Sequence, residues 1–278
     1  MPMPDDAAVG QMLGAAGIER REARLLLSLA SGIAEATLAA FPERSVDAAT
    51  RDRFLDWAQR RRCGEPLAYI VGRREFYGRS FKVSPAVLIP RPETELLVEH
   101  TIERARAFAR PRVLDLGTGS GVIAVTLACE LPGAIITAVD ASAIALDIAI
   151  ANAAILAPGR IEFLESDWFS RLAGRSFDLI ASNPPYIAAG DLHLTQGDLR
   201  FEPQMALVGG AGGMQCIALI VTAAADCLTA GGWLLLEHGF DQAETVRAHL
   251  QNAGFEAVTS WCDLAGLERM SAGRQPGK

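Results

Sequence analysis

Apolar residues recur at helical spacing in the N-terminal part of the chain. The pattern predicts three amphipathic helices: one capped by Asp5 or Asp6 that ends near residues 14–17, one over residues 19–29, and one over residues 47–62. Each of these segments gathers its Ala, Leu, Met or Phe side chains on one face. Faces of this kind are buried when short helices pack against each other, so the sequence predicts a small helical domain here.

A different pattern follows these helices. Residues 67–71 form a strand-like run, and apolar residues alternate on either side of Gly78, which predicts a β-hairpin. Three prolines, at positions 85, 90 and 92, then stiffen the chain in the manner of a connection between domains. Residues 94–108 return to helical spacing.

From residue 112 onward, short apolar strands alternate with helices. Helical stretches of about ten to twenty residues separate most of the strands, as is typical of an α/β fold with a parallel, doubly wound sheet. The predicted strands are residues 113–116, 135–139, 161–164, 177–182, 233–237 and 255–260.

Composition narrows the class of protein. Half of the 278 residues are apolar and 21% are charged, which excludes a disordered chain. None of the five cysteines forms a C-x-x-C pair, so we expect no zinc or other metal site and no disulfide framework. The N-terminus lacks a signal-peptide pattern, and Asp226 and Gly231 interrupt the apolar stretch 218–236, so it does not predict a membrane span. We expect a soluble, cytoplasmic protein.

Charge is distributed unevenly along the chain. Residues 1–110 carry a net charge of +2 and residues 111–278 a net charge of −9. The formal net charge of −7 for the whole chain argues against a protein that coats nucleic acid non-specifically, whereas the first part is the better candidate for an anionic partner. The run Arg60, Arg61 and Arg62 either contacts phosphate or an acidic protein, or forms a solvated helix end that complements the helix dipole.

A glycine-rich loop follows the first strand of the α/β region and precedes an apolar helix. It consists of Gly117, Thr118, Gly119, Ser120 and Gly121. Glycines allow a ligand to approach the backbone closely, and the helix N-terminus offers free N–H groups. Asp140 ends the next strand, where a carboxylate can accept hydrogen bonds from both hydroxyls of a ribose.

Three kinds of nucleotide site contain such loops. A P-loop is excluded because Val122 and Ile123 stand where Lys and Ser or Thr are required. A dinucleotide fingerprint needs a third glycine at position 122. The G-x-G-x-G spacing instead resembles the S-adenosylmethionine (AdoMet) loop of class I methyltransferases. The alternative is an ordinary tight turn between a strand and a helix.

Asp167 and Trp168 follow the third strand of this region. A buried Asp167 can accept a hydrogen bond from an adenine amine while the Trp168 ring packs on the base. Equally, Trp168 can be a core residue and Asp167 a helix cap.

The fourth strand runs directly into Asn183-Pro184-Pro185-Tyr186. Ligands of open α/β sheets bind at the carboxyl ends of the strands, so we expect this loop to face the AdoMet cleft. The Asn183 side-chain oxygen and the Pro184 backbone carbonyl can each accept one N–H of an NH₂ group, which orients the nitrogen lone pair toward a methyl group. Asn183, Pro184 and Tyr186 are the predicted catalytic residues, and Pro185 joins them in binding substrate. Tyr186 either forms a wall beside the substrate or packs under the loop.

Over nearly its whole length, the chain resembles the protein-(glutamine-N5) methyltransferase family. Asn-Pro-Pro-Tyr alone also occurs in DNA adenine methyltransferases, but its combination with the Ile-Pro-Arg-Pro-Glu-Thr-Glu and Phe-Glu-Pro segments is far more specific. The resemblance rests on the glycine loop and on residues 65–70, 74–78, 88–95, 183–187 and 197–203.

This resemblance implies a Rossmann-like class I methyltransferase with three parts. Residues 1–72 would be a helical substrate-recognition domain, residues 73–92 a β-hairpin and proline-rich linker, and residues 93–278 the AdoMet domain. The implied reaction transfers a methyl group from AdoMet to the glutamine of the Gly-Gly-Gln loop of class 1 peptide chain release factors. The enzyme would be a cytoplasmic monomer that serves translation termination and uses neither a membrane nor a nucleic-acid substrate.

The resemblance also assigns site residues. AdoMet would contact residues 117–121, Asp140, Trp168 and Asn183, and residues 183–186 would hold the glutamine. Arg91 and Glu93 would lie beside the cleft or form salt bridges within the linker. The chain departs from the family at residues 209–213, where glycines replace an acidic stretch. We expect this change to alter loop packing rather than chemistry.

Three other functions compete with this interpretation. They are methylation of a ribosomal-protein glutamine, methylation of an exocyclic amine in nucleic acid, and AdoMet binding without catalysis. The acidic catalytic half argues against nucleic acid. The intact Asn-Pro-Pro-Tyr loop argues against a protein that only binds AdoMet, because such a protein has no use for two amine acceptors.

Overall fold

The computed structural model describes residues 7–277, so the predicted caps Asp5 and Asp6 lie outside the described residues. The chain divides into two compact units. The first contains the described residues up to Gly72 and the segment Gly197–Phe201, and the second contains Arg73–Gln196 and the described residues from Glu202 onward. The substrate-recognition role assigned to residues 1–72 stays a prediction.

The first unit is helical, and its core includes the buried side chains of Met12, Leu26, Leu27 and Phe54. Asp47 begins one helix by accepting a hydrogen bond from the Thr50 N–H at 2.9 Å. The helices are α1 (Val9–Ala15), α2 (Arg20–Ser31), α3 (Glu35–Ala40), α4 (Ala48–Arg62) and α5 (Leu67–Val71).

Helix α5 corrects the strand predicted over residues 67–71. The Pro66 carbonyl accepts hydrogen bonds from Tyr69 and Ile70, and Gly72 ends the helix in the left-handed conformation. Ile70 is buried in the helical core, so tertiary packing outweighs the strand preference of this apolar run. Helix α3 was not predicted because only Leu38 of its six residues is buried.

The second unit begins with the predicted hairpin, β1 (Arg73–Phe76) and β2 (Arg79–Lys82). Tyr77 and Gly78 form its two-residue turn, and both have positive φ, 51° and 70°. Two such residues are what a type I′ turn requires, and this turn matches the twist of the paired strands. Helix α6 (Thr94–Ala105) follows.

The remaining strands form one seven-stranded sheet with the order β5-β4-β3-β6-β7-β9-β8. The strands are β3 (Arg112–Leu116), β4 (Ile135–Asp140), β5 (Ile161–Glu165), β6 (Phe177–Ser182), β7 (Leu228–Glu237), β8 (Glu256–Cys262) and β9 (Glu268–Arg274). The helices between them are α7 (Val122–Glu130), α8 (Ala143–Leu156), α9 (Gln215–Cys227) and α10 (Ala243–Asn252). The predicted α/β fold is confirmed. The sheet is mostly parallel, whereas β9, a strand that was not predicted, pairs antiparallel with β7 and β8.

Side chains along the central strands point alternately to the two faces of the sheet, where they pack into two apolar layers. Val113 packs in the layer that contains α6, α7 and α8, whereas Leu114 packs in the layer that contains α9 and α10. Strand β3 pairs with β4 on one side and β6 on the other, so the sheet reverses its winding there. The carboxyl ends of these strands therefore bring their following loops together. None of the helices in the described part of the chain combines the length and apolar character needed to cross a bilayer.

Candidate active site

A cavity of about 240 Å³ lies at the carboxyl ends of β3, β4, β5 and β6. Gly121, Pro184 and Tyr186 are not among its lining residues. No cluster of three or more His, Cys, Asp or Glu residues within positions 7–277 is arranged to hold a metal. Of the predicted site residues, the cavity is lined by Gly117, Thr118, Gly119, Ser120, Asp140, Asp167, Trp168, Asn183 and Pro185.

The glycine loop depends on left-handed backbone conformations. Gly117, Gly119 and Gly121 have φ values of 74°, 54° and 83°. Gly121 caps the N-terminus of α7, and a Cβ there would lie 3.0 Å from the Cβ of Ala149. Gly121 therefore allows close packing of α7 against α8, while the other two glycines present backbone to the cavity.

Asp115 holds this loop from beneath and was not assigned a role from sequence. Its fully buried carboxyl accepts hydrogen bonds from the Thr118 hydroxyl at 2.6 Å and from the Ala124 N–H at 3.1 Å. Burial raises its pKa to about 7. The sequence signal that could have identified Asp115 was a single aspartate within an apolar strand.

Asp140 binds the same loop from the end of β4. Oδ2 accepts a hydrogen bond from the Gly119 N–H at 2.8 Å, and Oδ1 accepts one from the Ser142 N–H at 2.9 Å. Burial raises the pKa of this carboxyl, although its backbone hydrogen bonds partly offset that effect. Each oxygen retains acceptor capacity toward the cavity, as the predicted contact with two ribose hydroxyls requires.

Trp168 lines the cavity beside the glycine loop, with its ring near Gly117. Its φ of 46° is unusual for a bulky residue and marks a constrained turn after β5. The prediction of a buried acceptor at Asp167 is wrong, because Asp167 is exposed at the cavity edge. The turn buries Ser166 instead, whose hydroxyl donates a hydrogen bond to the Trp168 carbonyl at 2.8 Å.

Strand β6 delivers Asn183 to the cavity wall. Ser182 anchors the end of the strand by donating a hydrogen bond to the Leu116 carbonyl at 2.7 Å. The Asn183 Nδ2 group donates to the Thr94 hydroxyl oxygen at 3.1 Å. Because the nitrogen end of this amide is committed to the protein, its oxygen end is the one available to a ligand.

The other residues of this loop occupy different environments. Pro184 is buried, and Pro185 lines the cavity. Tyr186 packs against the layer that contains α9 and α10, and its hydroxyl donates to Glu237 Oε1 at 3.4 Å. Of the two interpretations of Tyr186, this position matches packing under the loop.

The glycine-rich segment 209–213 lies against the backbone of the Asn-Pro-Pro-Tyr loop. The Gly209 N–H donates to the Ile187 carbonyl at 2.9 Å, and a Cβ on Gly209 would lie 2.4 Å from the Pro185 carbonyl oxygen. The expected effect on loop packing therefore concerns the Asn-Pro-Pro-Tyr loop itself, and its effect on the chemistry stays a prediction. Residues without side chains allow two backbone segments to approach each other here.

Arg91 lies beside the cavity, and its ion pair is formed with a residue outside the linker of residues 73–92. It lines the cavity and forms an ion pair with Glu202, whose side chain is buried. The second carboxyl oxygen of Glu202 accepts a hydrogen bond from the Ile89 N–H at 3.0 Å. The Phe-Glu-Pro segment thus fixes the Ile-Pro-Arg-Pro segment at the edge of the cavity.

The arginine run at the end of α4 is engaged within the first unit. Arg60 forms an ion pair with Glu65 at 2.5 Å, and Arg61 forms one with Glu22 at 2.8 Å. Arg62 donates to a backbone carbonyl at the end of α1. These contacts join helices of the unit, a role that neither sequence interpretation included.

Glu237 ends β7 next to the Asn-Pro-Pro-Tyr loop and was missed by sequence reasoning. The register pairs Ser182 with Leu236, so the residues that follow them are neighbours. Only 2% of Glu237 is exposed. Burial, reinforced by the charge of Glu93, raises its pKa to about 7 against the opposite effect of nearby hydroxyls. The sequence signal for Glu237 was a glutamate that directly follows the apolar run of residues 233–236.

Replacement of Glu237 by glutamine should stabilise the fold at high pH. Folded Glu237 retains its proton to about pH 7, above its usual pKa of 4.5, so its contribution to the free energy of unfolding falls as pH rises through this interval. Glu237→Gln has no proton to lose. We expect the free energy of unfolding of Glu237→Gln to exceed that of the wild type by ~2 kcal/mol near pH 8 and to equal it near pH 5.

Urea denaturation at both pH values measures this difference. The exposed Glu256 provides the control, since Glu256→Gln should leave the gap between the two pH values unchanged. Equal stability of Glu237→Gln and wild type at high pH would contradict the raised pKa of the buried Glu237 carboxyl.

Comparisons with known proteins address both units. The family model described as methyltransferase small domain matches residues 92–199, and the one described as PrmC N-terminal domain matches residues 8–72. The release factor glutamine methyltransferase of Burkholderia pseudomallei (strain K96243) is 48% identical, with 99% of this chain and 98% of that protein covered. The release factor glutamine methyltransferase of Neisseria gonorrhoeae (strain ATCC 700825 / FA 1090) is 49% identical, with coverage of 95% and 96%.

Solved structures agree with the architecture. A methyltransferase from Pyrococcus furiosus matches with a TM-score of 0.54 at 15% identity, covering 80% of this chain and 98% of that chain. Similarity at this level concerns the fold, a mostly parallel sheet with helices on both faces. The predicted methyltransferase fold is confirmed.

Proposed function

The chain belongs to the release factor glutamine methyltransferases, an AdoMet-dependent family, and from this premise we propose its reaction. It methylates the side-chain amide nitrogen N5 of the glutamine in the Gly-Gly-Gln motif of class 1 peptide chain release factors. One observation carries the proposal: the Asn183 amide nitrogen is bound to Thr94 on the cavity wall, so its oxygen is the end available to a substrate amide.

The lining of the cavity suits AdoMet. Backbone of the glycine loop and the carboxylate of Asp140 would hold the ribose end, and the Trp168 ring offers a flat apolar surface to the adenine. When bound, AdoMet supplies an electrophilic methyl group on a sulfonium centre. Asp167, exposed at the cavity edge, would contact the adenine amine only from the solvent side.

The residues of the Asn-Pro-Pro-Tyr loop act by positioning. Asn183 Oδ1 and the Pro184 carbonyl would each accept one N–H of the substrate carboxamide. Both N–H bonds lie in the amide plane, so holding them fixes which face of the nitrogen is presented to the cavity. An amide nitrogen is a weak nucleophile, and orientation together with electrostatic stabilisation would provide most of the acceleration without a strong base.

The partner and the setting of the enzyme are part of this proposal. The helical first unit, residues 1–72, would recognise the release factor, and the enzyme would act as a cytoplasmic monomer. Relatives similar over nearly the whole chain are named for release factors, which favours this substrate over a ribosomal protein or nucleic acid. The net charge of −9 over residues 111–278 also disfavours nucleic acid.

Loss of the Asp140 carboxylate should weaken AdoMet binding. Asp140→Ala removes the predicted ribose acceptor and releases the Gly119 N–H, so we expect the dissociation constant to rise by about 10- to 100-fold. Isothermal titration with AdoMet measures the change. The exposed Asp147 offers a control on α8, where Asp147→Ala should bind normally. An unchanged constant for Asp140→Ala would refute the ribose assignment.

The test of the reaction is methyl transfer to purified release factors. Incubation with radiolabelled AdoMet should label the wild-type release factor at one peptide, and a Gln→Ala change in its Gly-Gly-Gln motif should abolish the label. Parallel incubations contain ribosomal proteins, single-stranded DNA and RNA. Labelling of any of these instead of the release factor would overturn the proposal.

Comparison of two substrates tests the role of the first unit. If residues 1–72 bind the release factor outside its Gly-Gly-Gln loop, kcat/KM should be higher for the intact factor than for a short peptide that contains the motif, mainly through KM. Equal kcat/KM values for the two would argue that docking through this unit contributes nothing.

A further inference from the structure

Asn152 on α8 links the glycine loop to the β-hairpin, and we propose that it is a positioning residue for AdoMet. Through this residue, the end of β2 becomes part of the cofactor site. The inference rests on the proposed AdoMet site at the carboxyl end of β3, and Asn152 itself would not touch the cofactor. Its role would be to hold one peptide group of the glycine loop in the orientation that the bound state requires.

Both ends of the Asn152 carboxamide are engaged with backbone. Oδ1 accepts a hydrogen bond from the Lys82 N–H at 2.7 Å. Nδ2 donates one hydrogen bond to the Lys82 carbonyl at 3.0 Å and another to the Ser120 carbonyl at 2.8 Å. Asn152 is only 2% exposed. Loss of the side chain would therefore leave buried backbone groups without partners, which costs more than the net value of an ordinary hydrogen bond.

The peptide group between Ser120 and Gly121 needs such a contact because glycine leaves it free to rotate. Gly121 has a φ of 83°, and glycine adopts positive and negative φ about equally readily. Two hydrogen bonds remove this freedom: the Ser120 carbonyl accepts from Asn152, and the Gly121 N–H donates to the Thr118 carbonyl at 2.8 Å. A loop fixed before its ligand arrives loses less conformational entropy on binding, so these bonds favour affinity.

Asn152 differs from the other two anchors of the glycine loop in what it connects. Asp115 and Asp140 belong to the neighbouring strands β3 and β4. Asn152 belongs to α8, which also meets the loop one turn earlier, where Ala149 packs against Gly121. Residues three apart on a helix lie on the same face, so one face of α8 supports the loop at two points.

The hairpin provides a rigid support for Asn152. The Tyr77 N–H in its turn donates to Glu95 on α6 at 2.8 Å. Arg79 on β2 forms an ion pair with Glu130 on α7 at 2.5 Å. Because other helices already hold the turn and β2, the hairpin resists displacement, and Asn152 can transmit that resistance to the glycine loop.

Hydrogen exchange of the wild-type protein tests this coupling without any substitution. If Asn152 holds the loop in its binding conformation, bound AdoMet must hold Asn152 against Lys82 by the same free energy. We expect saturating AdoMet to slow deuterium exchange over residues 79–84 by about fivefold or more. The exposed residues 251–254 after α10 serve as reference and should change by less than about twofold. Equal exchange of residues 79–84 with and without AdoMet would overturn the inference.

Asn152→Asp tests the two donors, because it nearly keeps the shape and the Oδ1 acceptor. We expect the dissociation constant of AdoMet, measured by isothermal titration, to rise by about 10- to 100-fold. The KM for release factor and kcat at saturating AdoMet should change by less than about threefold. The matched control is Lys82→Ala, which removes an exposed side chain but leaves both backbone groups, and it should bind AdoMet within about twofold of the wild type. Unchanged AdoMet binding by Asn152→Asp would overturn the inference.

Val246→Ala on α10 controls for a general loss of stability. Val246 is buried in the layer that contains α9 and α10, so its truncation should lower the urea midpoint and leave the dissociation constant of AdoMet within about twofold. Equal weakening of AdoMet binding by Val246→Ala and Asn152→Asp would assign the effect to stability and overturn the inference.

Two further outcomes keep the test decisive. If Asn152→Asp does not fold, the exchange measurement on the wild-type protein tests the inference by itself. A wild-type protein that binds AdoMet and protects residues 79–84, but methylates no release factor, would refute the proposed function and support the role of Asn152. The two failures are therefore distinguishable.

Discussion

Asn183→Ala should lower kcat for release factor methylation by about 10²- to 10³-fold. The change removes the oxygen that would accept one N–H of the substrate carboxamide, so the nitrogen would no longer be held with one face toward the cavity. The Pro184 carbonyl would remain, which is why residual activity above background is expected. Single-turnover methylation with saturating AdoMet measures the chemical step directly.

AdoMet binding provides the internal control for this variant. Asn183 lies at the cavity wall, whereas the glycine loop and Asp140 form the predicted ribose contacts, so the dissociation constant should change by only a few-fold. The exposed Asn252 at the end of α10 gives a matched substitution, and Asn252→Ala should behave as the wild type. Near-normal turnover of Asn183→Ala would remove Asn183 from its assigned role.

Sequence patterns located most of the sheet because its strands are buried. Residues 177–182 were predicted with the observed bounds, since a buried parallel strand is a short apolar run that a proline-rich loop ends abruptly. Strand β9 was missed because its inner residues include Ser271 and Gly273, which are buried yet carry no apolar signal. Its place depends on pairing with β7, a long-range contact that local pattern does not contain.

The residues of the candidate site likewise fall into those that the sequence predicts and those that it does not. Motif residues such as Gly119, Asp140 and Asn183 could be found because their chemistry and spacing are local to the chain. The contacts of Thr94 and Glu237 could not, because each meets the Asn-Pro-Pro-Tyr loop only through residues far along the sequence. The exposure of Asp167 could not be predicted from the sequence either. It depends on the backbone of the turn after β5, where Trp168 has a positive φ.

Gly209 belongs to the atypical glycine segment and lies directly against the backbone of the Asn-Pro-Pro-Tyr loop. A Cβ at this position would lie 2.4 Å from the carbonyl oxygens of Pro185 and Gly213, and backbone atoms cannot move aside as a flexible side chain can. Gly209→Ala should therefore displace the Asn-Pro-Pro-Tyr loop. A misplacement of about 1 Å costs about 100-fold in rate, and overpacking costs about 1–3 kcal/mol of the free energy of unfolding.

Gly212→Ala is the matched control, because a Cβ there meets nothing within 4 Å and the residue is exposed. It should retain wild-type kcat and stability, which would assign the effect of Gly209→Ala to the contact and not to the loss of a glycine. Measurement of kcat and urea denaturation for both Gly209→Ala and Gly212→Ala tests this expectation. If Gly209→Ala turns over normally, the segment tolerates displacement, and the position of the Pro185 carbonyl does not limit the reaction.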